Sequence, residues 1–413
     1  MASSTTAWSP DDPVDALVVG AGPGGSALAA RLAGAGFRVA LVDRAAFPRD
    51  KACSEYMSPE TVRLLDRLGV VASLEEAGAV ALEGTAVTAA RGARLEGAFA
   101  RASHRPFRPT GLSVSRRLLD HALVRAAERA GASLHERSAV EELLYRRGAV
   151  AGAVVRDRDG RRRAIAARLT VGADGLNSIV ARRLGPRRRG RPRRVAFVAH
   201  LAGVHGMGAS AELYVGAEGY VGLNPIGGGR TNVALVVPVA VAAGARGRAE
   251  AFFAERLAGF PEVGRRVAGA SVVRPVMATG PFAAWSGRVT ADGAALVGDA
   301  ADFFDPFTGE GIYSALRGAE LLAHTAVRVL ERPGTVTADR LRDYRRGRRR
   351  AFAGKWAVER LVGYGMCFPR LFDRAVARIG RRAGMADTFI GVTGDFVPAR
   401  AVLNPVFLAR MVF

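Results

Sequence analysis

Three glycines, Gly20, Gly22 and Gly25, stand in the spacing G-x-G-x-x-G, and an acid, Asp43, follows about twenty residues later. Each suits one task in holding a dinucleotide. Gly20 permits a tight turn, Gly22 removes the side chain so that backbone can approach a pyrophosphate, and Gly25 lets a helix sit close to a strand. The helix N-terminus then faces an anionic diphosphate. The Asp43 carboxylate can accept both hydroxyls of an adenosine ribose and would repel a 2′-phosphate. Arg44, beside it, is grouped with the same site. The motif alone leaves FAD and NAD equally open.

The surrounding pattern supplies elements to position these residues. The apolar run Val14 to Val19 leads into the glycines, Ser26 to Ala35 has helical spacing closed by Gly36, and a second apolar run ends at Val42. This is a βαβ unit. Two later strand-like runs, Ile165 to Val171 and Ala294 to Val297, end in the segments VGADGLNS, which holds Asp174, and VGDAA, which holds Gly298 and Asp299. A carboxylate at the C-terminal end of a parallel strand stands where open α/β sheets bind ligands, and it can accept from sugar hydroxyls. Asp299 can equally be read as a helix cap, and Asp174 as a turn aspartate.

The three segments together closely resemble the FAD-binding fingerprints of flavoproteins of the para-hydroxybenzoate hydroxylase type. The resemblance implies FAD, with Asp174 in the motif that touches both nucleotide regions and Asp299 on the ribityl chain. It also implies that Arg116, in the R-x-x-L-D pattern opening the helix Arg116 to Gly131, reaches the diphosphate. Gly309, Gly311 and Ile312, at the start of an amphipathic helix running to Leu330, would present amides to the pyrimidine edge of the flavin and favour negative charge on the reduced ring.

Within that group, GDAADFFDPFTGEGIYSAL, FPRDKACSEYMSPE and GYVGLNPIGGGRTNVALVV are similar to the geranylgeranyl reductase family. Two positions depart from it. Ser54 and Glu55 follow Cys53 where K-x-C-G-G is common, and Asp302 stands where glycine or histidine is usual. Cys53 reads either as a buried apolar cysteine or, as the resemblance suggests, as a group facing the isoalloxazine as proton donor or positioning group. Halogenases share this fold but need a lysine between flavin and substrate from outside the FPR loop, and no lysine lies between Ala52 and Gly354.

The stretches Val195 to Gly203, Glu212 to Val215, Tyr220 to Leu223 and Thr231 to Val237 read as short strands separated by Gly and Asn-Pro turns. They would form a sheet roofing the flavin, with Tyr214 and Tyr220 as candidate hydroxyl donors and Tyr220 grouped with Cys53 as catalytic. His200 and His205 have neither a metal spacing nor a nucleophile to serve, and no metal is expected. From Arg340 onward the pattern is helical, with Phe352, Trp356, Leu361, Tyr364, Phe368, Leu371 and Phe372 among arginines. Such a helix caps an apolar pocket or lies on an anionic membrane.

Composition bounds the rest. The 413 residues are 49% hydrophobic and 24% charged, an ordinary globular balance. Two cysteines, Cys53 and Cys367, cannot build a disulfide framework or an iron–sulfur site, and a reducing compartment is the natural reading. The net charge of +22 rests almost wholly on arginine, since only Lys51 and Lys355 are lysine. The runs RRRGRPRR (187–194) and RRGRRR (345–350) read as basic patches of solvated surface, or as faces for a membrane or other anionic partner, and they lack the interleaved aromatics of single-strand binding, so no nucleic acid is expected. The opening MASSTTAWSPDDPVD has no basic and apolar regions of a signal peptide and reads as a short disordered lead-in. A cytoplasmic protein, at most peripheral to an anionic membrane, is the expectation.

The expected architecture is α/β: a Rossmann-like FAD-binding domain, an interleaved antiparallel-sheet substrate domain and a helical C-terminal region. FAD-binding segments are placed at 12–77, 111–184 and 288–332, substrate-domain segments at 78–110 and 185–287, and a helical cap at 333–413. The expected activity is hydride transfer at flavin N5 to or from a carbon–carbon double bond of an isoprenoid, quinone or polyketide. Lacking a second G-x-G-x-x-G, the chain would take electrons from transiently bound NAD(P)H or an external reductase. The alternatives are a monooxygenase acting through a C4a-hydroperoxide and a membrane-docking redox sensor.

Overall fold

The computed structural model describes residues 13–412, and most of the expected N-terminal lead-in, residues 1–12, lies outside them. The chain opens with strand β1 (Val14–Val19), helix α1 (Pro23–Gly34) and strand β2 (Val39–Val42). Strands β3 (Gly84–Thr88) and β4 (Arg94–Ala98) precede helix α2 (Arg116–Arg129) and strands β5 (Ser133–His135) and β6 (Arg162–Gly172). Next come β7 (Arg194–Ala202), β8 (Ser210–Gly216), β9 (Gly219–Pro225), β10 (Arg230–Pro238) and β11 (Ser271–Thr279). Strand β12 (Ala294–Leu296) leads to helix α3 (Gly311–Leu330), and α4 (Arg342–Gly365), α5 (Pro369–Gly380), α6 (Ala383–Thr393) and α7 (Pro405–Val412) follow.

Five strands of the first sheet, in the order β12-β6-β1-β2-β5, pair in parallel throughout, and Thr290–Ala291 adds a short antiparallel edge to β12. Its strands are continuous apolar runs because both faces are covered. Leu28, Leu32, Leu119, Leu123, Leu316 and Leu322 from α1, α2 and α3 pack on one face, each at most 1% exposed. Leu143, Ala153 and Ile165 from antiparallel strands cover the other.

A second sheet has the order β11-β7-β10-β9-β8-β3-β4. It is antiparallel except between β8 and β3, which pair in parallel because β3 arrives from a segment distant in sequence. Strand alternation divides its residues. Ala196, Val198 and His200 share one face with their partners Val236, Ala234 and Asn232, whereas Phe197 and Leu201 pack with Phe252 and Leu257 on the other.

Two expectations need correction. Asn224-Pro225 is the end of β9, paired with Asn232 and Thr231, and the chain turns only afterwards through Gly227, Gly228 and Gly229, all with positive φ. Nor is the run 187–194 simply a surface patch. Arg187–Arg189 pairs with Ala284–Ser286, and Arg194, 5% exposed, forms a 2.5 Å ion pair with Asp305. Arg348 of the second run is likewise buried and paired with Asp302, the residue that departs from the family pattern. Helices α4 to α7 close over the second sheet, packing Val358, Val376, Ile379 and Ile390 against Leu95 and Phe99. Among the described residues, no helix is long and apolar enough to cross a membrane.

Candidate functional site

Where β1, β6 and β12 end, a cleft of about 1120 Å³ opens between the parallel sheet and the second sheet. The glycine turn forms one wall. Gly20 has φ +99°, and a Cβ there would lie 2.6 Å from the carbonyl oxygen of Ala173; one on Gly25 would lie 1.8 Å from that of Gly20. Both positions are closed to side chains by backbone. Gly22 differs, since a Cβ there would meet only guanidinium nitrogens of Arg116 and Arg49, each 3.9 Å away across the cleft mouth. Open backbone, two cations and the N-terminus of α1 make an anion cradle.

Asp43 does not itself line the cleft but is tied to the glycine turn, with Arg49 3.8 Å away. Its Oδ2 accepts from the Ala21 N–H at 2.8 Å and its Oδ1 from the Ala45 N–H at 2.8 Å, leaving lone pairs for sugar hydroxyls. Arg44 is exposed and does not line the cleft. Arg116 does line it, held by two 2.8 Å bonds to the fully buried Asp120, which also pairs with Arg49 at 2.9 Å. Burial works against the Arg116 charge, but Asp120 and Cys53 hold its pKa above the ordinary value.

Asp299 lines the cleft from the turn Gly298–Ala300 after β12. Burial raises its pKa, while Lys51 and Arg116 oppose the rise. Lys51 also lines the cleft, its pKa lowered by burial and by Arg116 and Arg49. Gly309, in the left-handed region at φ +73°, leads into α3, and Gly309, Gly311 and Ile312 line the same cleft. Asp174 is used otherwise: its Oδ2 accepts from the Ile179 N–H at 2.7 Å, while Ala173, Gly175 and Leu176 face the cleft. Burial raises its pKa.

Cys53 lines the cleft on a loop whose geometry was not legible in its own residues. Glu55 takes φ +61°, a conformation that glycine adopts freely, which explains the family's preference there. Its Oε1 accepts from the Arg116 N–H at 2.8 Å and its Oε2 lies 2.8 Å from His200 Nε2. The Asn232 amide donates to the carbonyls of Cys53 and Ser54 at 2.8 and 2.7 Å, and that of Asn224 reaches Ser54 at 3.1 Å. Both asparagines come from the second sheet, so the roof clamps the loop. Arg274 stands opposite His200 on β11, 7% exposed; burial lowers its pKa and Glu55 opposes this.

Tyr220 lines the cleft, but its hydroxyl donates to Asp305 Oδ1 at 2.8 Å. Burial, and then Asp305, push its pKa well up. Tyr214 faces the opposite side of the sheet, bonded to Glu212, Glu262 and Arg266, because strand alternation turns Leu213 and not Tyr214 to the cleft. His205 holds Arg266 through its carbonyl.

A second group was missed in the sequence. Glu310, between the cleft-lining Gly309 and Gly311, accepts from Thr61 Oγ1 at 3.2 Å on one oxygen. Lys355 Nζ pairs with Asp395 at 2.8 Å and Glu359 at 3.3 Å, all with side chains at most 12% exposed. Burial and Asp395 raise the Glu310 pKa to about 8, and burial raises Glu359 to about 7. With only two lysines in the chain, that scarcity was the available signal for Lys355. Among the described residues, no cluster could hold a metal ion.

The open glycine, the two cations and the carboxylates of Asp43 and Asp299 fit FAD. Residues 13–359 match the FAD binding domain family. The digeranylgeranylglycerophospholipid reductase of Methanothrix thermoacetophila is 30% identical over 392 residues, covering 92% of this chain and 88% of the relative. The menaquinone reductase of Mycolicibacterium smegmatis is 31% identical over 325 residues, 75% of either chain. A geranylgeranyl bacteriochlorophyll reductase-like structure from Thermoplasma acidophilum superposes with a TM-score of 0.78 at 20% identity, over 97% of this chain and 98% of its own. The fingerprints, their geometry and these relatives together place the chain in the geranylgeranyl reductase-like family of FAD-dependent oxidoreductases.

Proposed function

We propose that this oxidoreductase transfers hydride to or from a carbon–carbon double bond of a lipophilic small molecule: an isoprenoid, a quinone or a polyketide. NAD(P)H or an external reductase supplies the electrons. The supporting observation is a run of adjoining cavities. The cleft shares Ser54, Leu213, Gly222, Ala234, Pro306 and Gly309 with a second cavity of about 600 Å³. That cavity shares Val87, Phe307 and Phe389 with a third of about 620 Å³, lined only by apolar side chains and a glycine. A polar cofactor end thus passes into an apolar far end, which suits an elongated apolar ligand with its reacting group near Cys53.

Bound FAD supplies hydride chemistry at N5. Gly22, Arg116 and Arg49 bind the diphosphate, Asp43 and Asp299 accept from sugar hydroxyls, and the N-terminus of α3 favours negative charge beside Gly311 and Ile312. Ala196, Val198, Ala234 and Val236 roof the cleft and exclude water. In the reducing direction the Cys53 thiol would give its proton to the alkene carbon that does not take hydride, and solvent would return the proton to the thiolate. Tyr220 positions the roof, because its proton is held by Asp305.

The test is to reduce the holoprotein anaerobically and mix it with polyprenyl lipids, menaquinone analogues and conjugated polyketides, following flavin reoxidation and product mass. Reoxidation with a gain of two hydrogens by one of these supports the reading. Reoxidation only on admitting oxygen, with a product heavier by one oxygen atom, would replace it with a monooxygenase.

A further inference from the structure

The third cavity has a mouth. Leu361 and Leu371 line it and are 39% and 43% exposed, so they stand between its interior and solvent. They flank the bend between α4 and α5, where Tyr364 is 46% and Phe368 62% exposed. Four large apolar side chains are therefore gathered on one elbow, with Phe368 the most exposed of them. Isolated apolar side chains on a surface mean little, but a cluster at a cavity mouth marks an interaction site.

Charge identifies the partner. Between residues 360 and 382 there are six arginines, 360, 370, 374, 378, 381 and 382, and one acid, Asp373. Asp373 is buried and accepts from the Arg91 N–H at 3.0 Å, so its charge is turned inward. Arg360, Arg370 and Arg374 are exposed beside the apolar tip. An apolar wedge ringed by arginines suits an anionic lipid surface: the tip enters the acyl boundary while guanidiniums remain among the phosphates. A bilayer also accounts for the cavity behind the wedge, because a lipid tail could pass from the acyl layer between Leu361 and Leu371 without crossing water.

We propose that the α4–α5 elbow docks on anionic membrane and is the port through which the substrate's apolar tail enters. The port role rests on the lipophilic-substrate reading above; the docking does not, and it is measured without substrate. Helices α4 and α5 would lie near the membrane plane, with the cofactor cleft held above it.

The holoprotein is sedimented with phosphatidylcholine vesicles, with and without phosphatidylglycerol, at low and high salt. The expected result is binding to the phosphatidylglycerol vesicles that weakens with salt, and loss of affinity by about tenfold or more in Phe368→Glu, as removal of a large buried apolar side chain from the interface requires. Phe368 is exposed and lines none of the three cavities described above, so Phe368→Glu should keep the wild-type flavin content and thermal midpoint. Should that variant be misfolded, Arg370→Glu/Arg374→Glu carries the test through loss of the phosphatidylglycerol dependence. Wild-type protein that ignores both vesicles, or Phe368→Glu that binds like wild type, would overturn the proposal. So would a wild-type dimer that Phe368→Glu converts to monomer, because a second copy would then cover the elbow.

Discussion

At the scale of residues, two cleft-lining candidates part company on hydrogen bonding. Cys53 and Tyr220 both border the cleft, but only the tyrosine has its proton engaged by a buried carboxylate. Cys53→Ala should therefore slow anaerobic turnover by about a hundredfold, the ordinary effect of removing a general acid, with the flavin spectrum intact. Tyr220→Phe should change turnover by only a few-fold but lower stability by about 1–2 kcal/mol, since Asp305 loses a buried donor. Stopped-flow reoxidation of the reduced flavin by substrate and denaturant titration check the pair, and equal rate losses in both variants would refute the assignment. The placement of Asp43 and Asp299 just after a strand was legible, because it depends on local sequence alone. The Glu55–His200 contact was not, for it joins positions far apart in the chain through sheet register.

At the scale of elements, the glycine turn shows why local pattern reading succeeds there. The strand, the turn and α1 are consecutive, and their geometry leaves no room for Cβ at two of three glycines. Gly25→Ala would set a methyl 1.8 Å from the Gly20 carbonyl oxygen, so the turn must open. The expected outcome is protein without bound FAD and destabilised by at least about 2 kcal/mol, measured by flavin absorbance and by melting. Normal flavin content would show that the turn accommodates the methyl. The second sheet was read less well at its ends. Asn-Pro is a turn signal by propensity, yet the β9–β10 ladder continues through it and thereby carries Asn224 and Asn232 to the Cys53 loop. The basic runs misled in the same way, because composition does not reveal that the buried Arg194 and Arg348 have acids, Asp305 and Asp302, to meet.

At the scale of the molecule, Glu310, Lys355, Glu359 and Asp395 join the start of α3 to the C-terminal helices. Glu310 and Glu359 titrate near 8 and 7 in the folded protein, against 4.5 for an ordinary glutamate. Folding therefore retains protons that the unfolded chain has released, and this contribution is complete below about pH 4.5 and lost as pH rises through about 7 to 8. Lys355 works elsewhere: its pKa is raised, so its contribution persists through the ordinary lysine range and fails only above it. Stability should fall between about pH 5 and 8, by up to about 1.4 kcal/mol per pH unit for each retained proton. Glu310→Gln should flatten the curve in denaturant titrations across that range. An unchanged slope would remove Glu310 from the linkage.

The same two lysines have a consequence for covalent chemistry. With 58 of the 60 basic residues arginine, the chain offers amine-reactive reagents only two side-chain targets, and the fold places one at the cofactor cleft and the other in a closed ion cluster. Acetylation of native protein should be slow at Lys355 and should reach Lys51 mainly when FAD has been removed, a difference that peptide mass mapping would read directly. A lysine-specific protease should likewise leave the folded chain whole and cut it only after global opening, so its rate of cleavage reports unfolding rather than surface exposure.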